Sequence, residues 1–277
     1  MITDDSHIHT NFSPDAPRDV FPEVQIQEAI RRGLKSMCFT DHYDEGLKAF
    51  TRDETAETKG TLPYIPDVEK YFETLLPLKE KYRDRIDIGI GMEFGMTPQT
   101  GAFYDALAEK YPFDFIINST HWFCGIDPCH DKTGFGDQAL YEMCFKEMIK
   151  NVQACAHYDV CGHIDYVVRY GKMREKAYHP SDMRDVIDEI LKSIIAQGKG
   201  IELNTAGLKY GLPFAHPAPF ILKRYKALGG TILTVGSDGH MPGHLAWEFD
   251  KVPEILEACG FKYYTVFRNH KPRFIHI

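Results

Sequence analysis

The chain has 277 residues, 43% of them hydrophobic, and its 32 Lys and Arg against 40 Asp and Glu give a formal net charge of −8. A chain near 300 residues buries roughly 75% of its unfolded surface, so a sizeable core closes and bulk disorder is excluded. The negative surface argues against non-specific nucleic-acid binding, and no run approaches the roughly 18 apolar residues of a membrane span. Seven cysteines without a CxxC pair fit reduced thiols better than a disulfide framework. The acidic opening Met1-Ile2-Thr3-Asp4-Asp5 predicts no secretory signal, and a cytoplasmic protein is expected. Thirteen histidines are the unusual figure.

In chain order, the first β-rich run, 6–10, carries His7 and His9, an i, i+2 pair that projects both imidazoles from one face of a strand. A helical pattern over 23–32 ends at Gly33, and the run 36–40 then leads into Asp41-His42. The Thr-, Glu- and Lys-rich piece 44–66 interrupts the alternation, as either a solvated excursion or a lid over the site. A helix over 67–82 precedes a strand over 86–91 that runs into Glu93. A helix over 102–111 and a strand over 113–118 then lead to His121. Beyond a helix over 138–156, the short strand 160–162 meets His163 and Asp165. The remaining pattern is helix 180–197, strand 200–204, helix 217–228 and strand 231–235, which ends in Asp238-Gly239-His240. Glycines 198 and 229 follow helices as C-terminal caps commonly do.

Strand–helix alternation argues for parallel strands with crossover helices. About seven such units in one domain suggest a closed or nearly closed (β/α) barrel, whose usual size is roughly 250 residues. A doubly wound open sheet is the rival. A barrel gathers all strand ends on one face, so residues scattered in sequence meet in space. A lone His at a strand end is commonly a hydrogen-bonded structural residue, and a lone Asp a cap or turn former. Such residues beside nearly every strand end point instead to a polynuclear metal site. Imidazole and carboxylate without thiolate suit Zn, Mn or Fe. Cys124, Cys129 and His130 have a spacing that fits no common zinc ribbon.

His7-x-His9, Thr40-Asp41-His42, Glu93, His121, His163 and Asp238-x-His240, in this order, resemble the PHP (polymerase and histidinol phosphatase) superfamily from residue 6 to about residue 240. The resemblance implies a distorted (β/α)7 barrel, a single domain over 1–277, with two or three divalent metal ions at the strand ends. It assigns His7, His9, Glu93 and Asp238 to one ion, with Glu93 bridging to a second completed by His121 and His163. A third takes Asp15, His42 and His240. The closing motif has Gly239 where many relatives carry Ala, a small change that leaves both ligands intact.

Gly91-Met92-Glu93-Phe94-Gly95, Gly162-His163-Ile164-Asp165-Tyr166, Arg169-Tyr170-Gly171 and Glu202-Leu203-Asn204-Thr205 resemble the histidinol-phosphate phosphatase branch. That branch implies hydrolysis of L-histidinol phosphate to L-histidinol and phosphate, in histidine biosynthesis, by a hydroxide that the metals generate. Arg169 is then expected to clamp the phosphate with two parallel hydrogen bonds, against the alternative of a surface salt bridge. Glu202 and Asn204 share a strand face, and either bind the substrate's amine or imidazole or fill a polar layer beneath the metals. Asp41 and Asp165 are expected to orient neighbouring histidines. Glu93, Arg169, His240 and Asp15 form the expected catalytic set, with His240, Asp15 or water protonating the leaving alcohol. A PHP phosphoesterase acting on another small ester or nucleotide, a metal-dependent amidohydrolase, and a non-catalytic metal-binding regulator are the other readings. Amidohydrolases commonly carry a bridging lysine where Glu93 stands and lack counterparts of His42 and His240.

Overall fold

The computed structural model describes residues 2–45, 65–130 and 133–277. Strand alternation builds the barrel wall, as β4 (Asp87–Gly95) illustrates. Ile88, Ile90, Met92 and Phe94 are buried in the layer between sheet and helices, whereas Gly89, Gly91, Glu93 and Gly95 occupy the alternate, interior face. A Cβ at Gly91 would lie 2.4 Å from the carbonyl oxygen of Phe115, so only glycine permits this close approach of neighbouring strands.

The other staves are β1 (Asp4–Ile8), β2 (Ser36–Phe39) with its continuation β3 (His42–Tyr43), β5 (Phe115–Ser119), β6 (Val160–Cys161), β7 (Gly200–Asn204) and β8 (Leu233–Gly236). They pair in parallel in the order β1-β2-β4-β5-β6-β7-β8, and β3 lies on β4 with His42 opposite Glu93. His9 N donates to Gly239 O at 3.0 Å and Gly239 N to His7 O at 3.2 Å, which joins the first stave to the chain leaving the last. The sheet is therefore a nearly closed seven-stave barrel, and the open doubly wound alternative falls.

Around it run α1 (Pro22–Arg31), α2 (Val68–Tyr82), α3 (Gly101–Lys110), α4 (Asp137–Ala154), α5 (Arg184–Ala196), the short α6 (Ala206–Lys209), α7 (Pro219–Ala227) and α8 (Val252–Ala258). Helix α5 turns Ile187, Ile190, Leu191 and Ile194 inward at helical spacing. Gly33, Gly198 and Gly229 adopt φ of 78°, 70° and 96° just past helix ends, where a side chain is disfavoured. No helix among the described residues is long and apolar enough to cross a membrane.

Sequence patterning stopped short of the C-terminal hairpin, β9 (Tyr263–Arg268) and β10 (Lys271–His276). Its two-residue turn, Asn269-His270, has φ of 50° and 58°, as the favoured hairpin turn requires. Phe267 packs with Cys38, Phe115, Ile117 and Val160, an apolar cluster distinct from the helix–sheet core. Beside it Arg268 Nη2 donates to Ser36 Oγ at 2.8 Å and to the carbonyl oxygen of Asp87 at 3.0 Å. The hairpin thus closes the end of the barrel opposite the histidines. Most of the interrupting piece 44–66, namely 46–64, lies outside the described residues.

Candidate metal centre and active site

The expected histidines and carboxylates converge at the C-terminal mouth of the barrel. Glu93, fully buried on β4, is the hub. His7 Nε2 lies 3.2 Å and His9 Nε2 3.5 Å from its Oε2, and His42 Nδ1 lies 2.9 Å from the same atom. His121 Nε2 and His163 Nε2 approach Oε1 at 3.1 and 2.9 Å. Asp238 Oδ1 stands 3.3 Å from His9 Nε2 and 3.9 Å from His7 Nε2. Asp15 Oδ2 is 3.0 Å from His240 Nε2 and 3.6 Å from His42 Nε2. The sets His7/His9/Asp238, Glu93/His121/His163, His9/His42/His240 and His42/Asp44/His121 each present ligand atoms within 4.8 Å of one another.

Most of these imidazoles aim one nitrogen inward and anchor the other. His7 Nδ1 lies 2.6 Å from Glu202 Oε1, and His9 Nδ1 2.9 Å from Ser13 Oγ, which donates to Asp41 at 2.7 Å. His121 Nδ1 lies 3.0 Å from Asp44 Oδ1, and His240 Nδ1 3.1 Å from the carbonyl oxygen of Asp238. Fixing one nitrogen sets the tautomer and leaves the other's lone pair for a metal. The inward atoms, among them Nε2 of His7, His9 and His240, Nδ1 of His42 and Oε2 of Glu93, are buried without a hydrogen-bond partner. Such orphaned groups are costly, and shared cations would satisfy several at once. The residues present therefore fit a divalent-metal cluster with nitrogen and oxygen donors. Asp238 meets this arrangement with φ of 53°, a left-handed conformation that Asp tolerates better than most residues.

The local field favours cations. Burial opposes ionisation of Glu93, yet His7, His42 and His121 outweigh it and hold the carboxyl well below its ordinary range. Burial likewise opposes charge on His7, but Glu202 and Glu93 prevail and raise that imidazole well above its usual value. Burial and the rings of His240 and His42 push His9 well below its usual value, so this imidazole is neutral.

Above the cluster opens a cavity of about 380 Å³. Arg169 lines it, on a 3₁₀ turn over Tyr166–Tyr170 that follows His163. Its guanidinium lies 5.4, 4.8 and 4.6 Å from the ring centres of Tyr166, Tyr170 and Tyr210, and its Nη2 donates to Tyr170 Oη at 2.6 Å. Its Nη1 is 4.0 Å from Asp238 Oδ2. Arg169 thus faces the histidine cluster rather than a surface ion pair.

Two expectations need correction. Glu202 and Asn204 do not line the cavity; both are fully buried, Asn204 Nδ2 donates to Glu202 Oε2 at 3.1 Å, and that oxygen accepts from His163 N at 3.0 Å. They form the polar layer under His7 and His163, out of a substrate's reach. Asp165 turns away from His163 and binds His216 Nδ1 at 2.6 Å and Ala218 N at 2.8 Å. Cys124, Cys129 and His130 behave as their spacing suggests: both thiols are exposed, and His130 pairs with Asp127 at 2.7 Å, outside every metal-capable group among the described residues. Sequence reading missed Asp44, Ser13 and the cavity-lining Trp122, Asp127 and Tyr210. For Asp44 a signal existed, since it stands two residues past His42 and shares its strand face.

Comparison with known proteins agrees with this geometry. The PHP domain family matches residues 5–206. A probable histidinol-phosphatase of Clostridium acetobutylicum is 30% identical over 264 residues, 93% of this chain and 94% of the relative. The histidinol-phosphatase of Lactococcus lactis is 28% identical over 276 residues, 96% of this chain and 95% of its own length. A crystal structure of histidinol phosphate phosphatase from Lactococcus lactis, complexed with zinc, L-histidinol and phosphate, superposes with a TM-score of 0.83 at 26% identity and covers 98% of both chains. On this evidence of sequence, fold and converging residues, the chain belongs to the PHP domain family, in its histidinol-phosphatase branch.

Proposed function

We propose that this protein is a metal-dependent phosphomonoesterase that hydrolyses L-histidinol phosphate to L-histidinol and phosphate, as a step of histidine biosynthesis in the cytoplasm. The observation that carries the reading is the cluster of inward-facing imidazoles around Glu93 beneath a cavity bordered by Arg169. The relative of similar fold that holds zinc, L-histidinol and phosphate supports the substrate and the metal. Three divalent ions, zinc or in its place manganese or iron, fit the donor sets. His7, His9, Glu93 and Asp238 would hold one, Glu93, His121 and His163 a second, and Asp15, His42 and His240 a third. When bound, such ions supply Lewis-acid charge and make hydroxide available at neutral pH.

The chain's own residues bind and orient. Arg169 offers a planar fork to two phosphoryl oxygens, and the surrounding tyrosine faces limit its motion and its hydration. Asp15 and His240 were both candidates for protonating the departing alcohol. A ring nitrogen that holds a cation carries no proton, and His240 Nε2 faces Asp15 and His42, so we assign the pair to metal binding. With Glu202 and Asn204 buried, the cationic end of the substrate needs another partner. Asp127 is the lining carboxylate whose ion pair is with His130 rather than with the central cluster, which suits it to an ammonium group. A cavity of about 380 Å³ suits a small ester better than a polymer end.

The test is phosphate release from L-histidinol phosphate, a nucleotide monophosphate and an aryl phosphate, with and without prior chelation. Selective, chelator-sensitive release from histidinol phosphate is expected. Chelator-sensitive release from the other esters alone would overturn the substrate, and no release from a metal-loaded protein would overturn the phosphatase reading.

A further inference from the structure

Within the metal-centre reading, Asp44 has no assigned role, although its carboxylate stands with His42 and His121 in the fourth group of ligand atoms, Oδ2 lying 3.9 Å from His42 Nδ1. His121 stands just past β5, in a connecting segment where strand geometry no longer fixes its ring. Its Nε2 faces Glu93 at 3.1 Å and its Nδ1 meets Asp44 Oδ1 at 3.0 Å. Asp44 is buried, and its neighbours are clamped from both sides by one hydroxyl. Tyr104 Oη accepts from Glu45 N at 2.9 Å and lies 2.7 Å from the carbonyl oxygen of Tyr43 and 3.0 Å from that of Gly95. Tyr104 is itself fully buried on α3, so this anchor belongs to the core.

Gly95 supplies an independent observation. It is the interior-facing residue two past Glu93, and a Cβ built there would lie 1.6 Å from Asp44 Oδ1 and 3.2 Å from His121 Nδ1. The space that a side chain would fill is taken by the contact between the carboxylate and the imidazole. Any residue but glycine at 95 must displace Asp44.

We propose that Asp44 is a positioning residue that holds His121 through Nδ1–H, leaves Nε2 free for the metal shared with Glu93 and His163, and depends on the missing side chain of Gly95 to do so. The placement of Oδ1 on the Nδ1 side makes Asp44 an outer partner, as Glu202 is for His7. Outer oxygen partners of ligating histidines typically contribute 10- to 100-fold to metal affinity.

The experiment titrates metal-stripped protein with Zn²⁺, reading stoichiometry and stepwise affinities by calorimetry and metal analysis. D44A and G95A are each expected to weaken one equivalent by about 10- to 100-fold and leave the others unchanged. D44N keeps an acceptor oxygen without the charge, and is expected to restore part of that affinity. D44N is close to isosteric, so an unchanged unfolding midpoint for its metal-free form separates a metal effect from misfolding. Wild-type affinities in D44A and G95A would overturn the proposal, and so would complete loss of one equivalent in D44N, which would make Asp44 a direct ligand. Failure of the wild-type protein to bind Zn²⁺ would instead overturn the metal-centre reading itself.

Discussion

Arg169 combines a fixed charge with an aromatic enclosure, and these contribute separately. Three tyrosine faces and the hydroxyl of Tyr170 hold the guanidinium near Asp238. R169K keeps the charge but loses the planar fork and the stacking. Removing one preorganised charge donor typically costs 10²- to 10³-fold in turnover. R169K is therefore expected to lower kcat/KM for histidinol phosphate by about 10²-fold, and R169A by about 10³-fold, in steady-state assays at saturating metal. Activity of R169K within twofold of wild type would remove Arg169 from phosphate binding. At this scale the centre was legible because most of its candidate ligands, Asp15 and His121 apart, stand at strand ends, where sequence position fixes the direction of a side chain. The partners Ser13 and Tyr210 were not legible, because each reaches the site from a connecting segment whose path no periodicity encodes, whereas Asp44 carried a signal in its i, i+2 spacing from His42. Glu202 and Asn204 were placed on the right face but their depth stayed open between substrate contact and a buried polar layer, since alternation gives the side of a strand and not the distance to solvent.

Among the elements, the staves were the most readable, because apolar runs of strand length between helical periods leave few other solutions. Their ends drifted: the pattern put the third strand at 86–91, but β4 runs on to Gly95 because Glu93 and Gly95 continue the ladder with β5. The hairpin was missed because it lies outside the βα alternation and half of it faces water. It is nevertheless tied in by Asp114, just before β5. One carboxylate oxygen of Asp114 accepts from Lys79 Nζ at 2.7 Å and Ile90 N at 2.9 Å, and the other from Asn269 N at 3.1 Å. Burial opposes the charge of Asp114, but Lys79 and these N–H donors prevail and lower its pKa. A carboxylate whose pKa is lowered by folding stabilises fully above its unfolded value, near 3.9, and loses that contribution as pH falls through the folded value. D114N is thus expected to cost about 1–3 kcal/mol near neutral pH in denaturant unfolding. The gap from wild type should narrow below about pH 4. A gap that stays constant down to pH 3 would show that the charge of Asp114 contributes nothing.

Over the whole molecule, the two ends of the barrel are closed by different means. The hairpin plugs one end with Phe267 and Arg268, using apolar contact and hydrogen bonds that need no ion. The other end gathers His7, His9, His42, Glu93, His121, His163, Asp238 and His240 from the ends of β1, β2–β3, β4, β5, β6 and β8. Cations held there would link six of the seven staves, and binding to the folded state alone adds RT ln(1 + [L]/Kd), about 4 kcal/mol for one site when the free ion is 1,000 times Kd. Each kcal/mol moves the Tm of a chain somewhat smaller than this one by roughly 2–4 °C. Chelation is therefore expected to lower Tm by about 10 °C and added Zn²⁺ to restore it. The far-ultraviolet circular dichroism of the chelated protein at 25 °C should stay unchanged, because the hydrophobic core and the hairpin plug do not depend on metal. Loss of helical signal on chelation would mean that the ions are needed to fold the barrel at all. An unchanged Tm, with metal analysis confirming removal, would mean that the imidazole-lined mouth holds its shape unaided and that the ions serve chemistry alone.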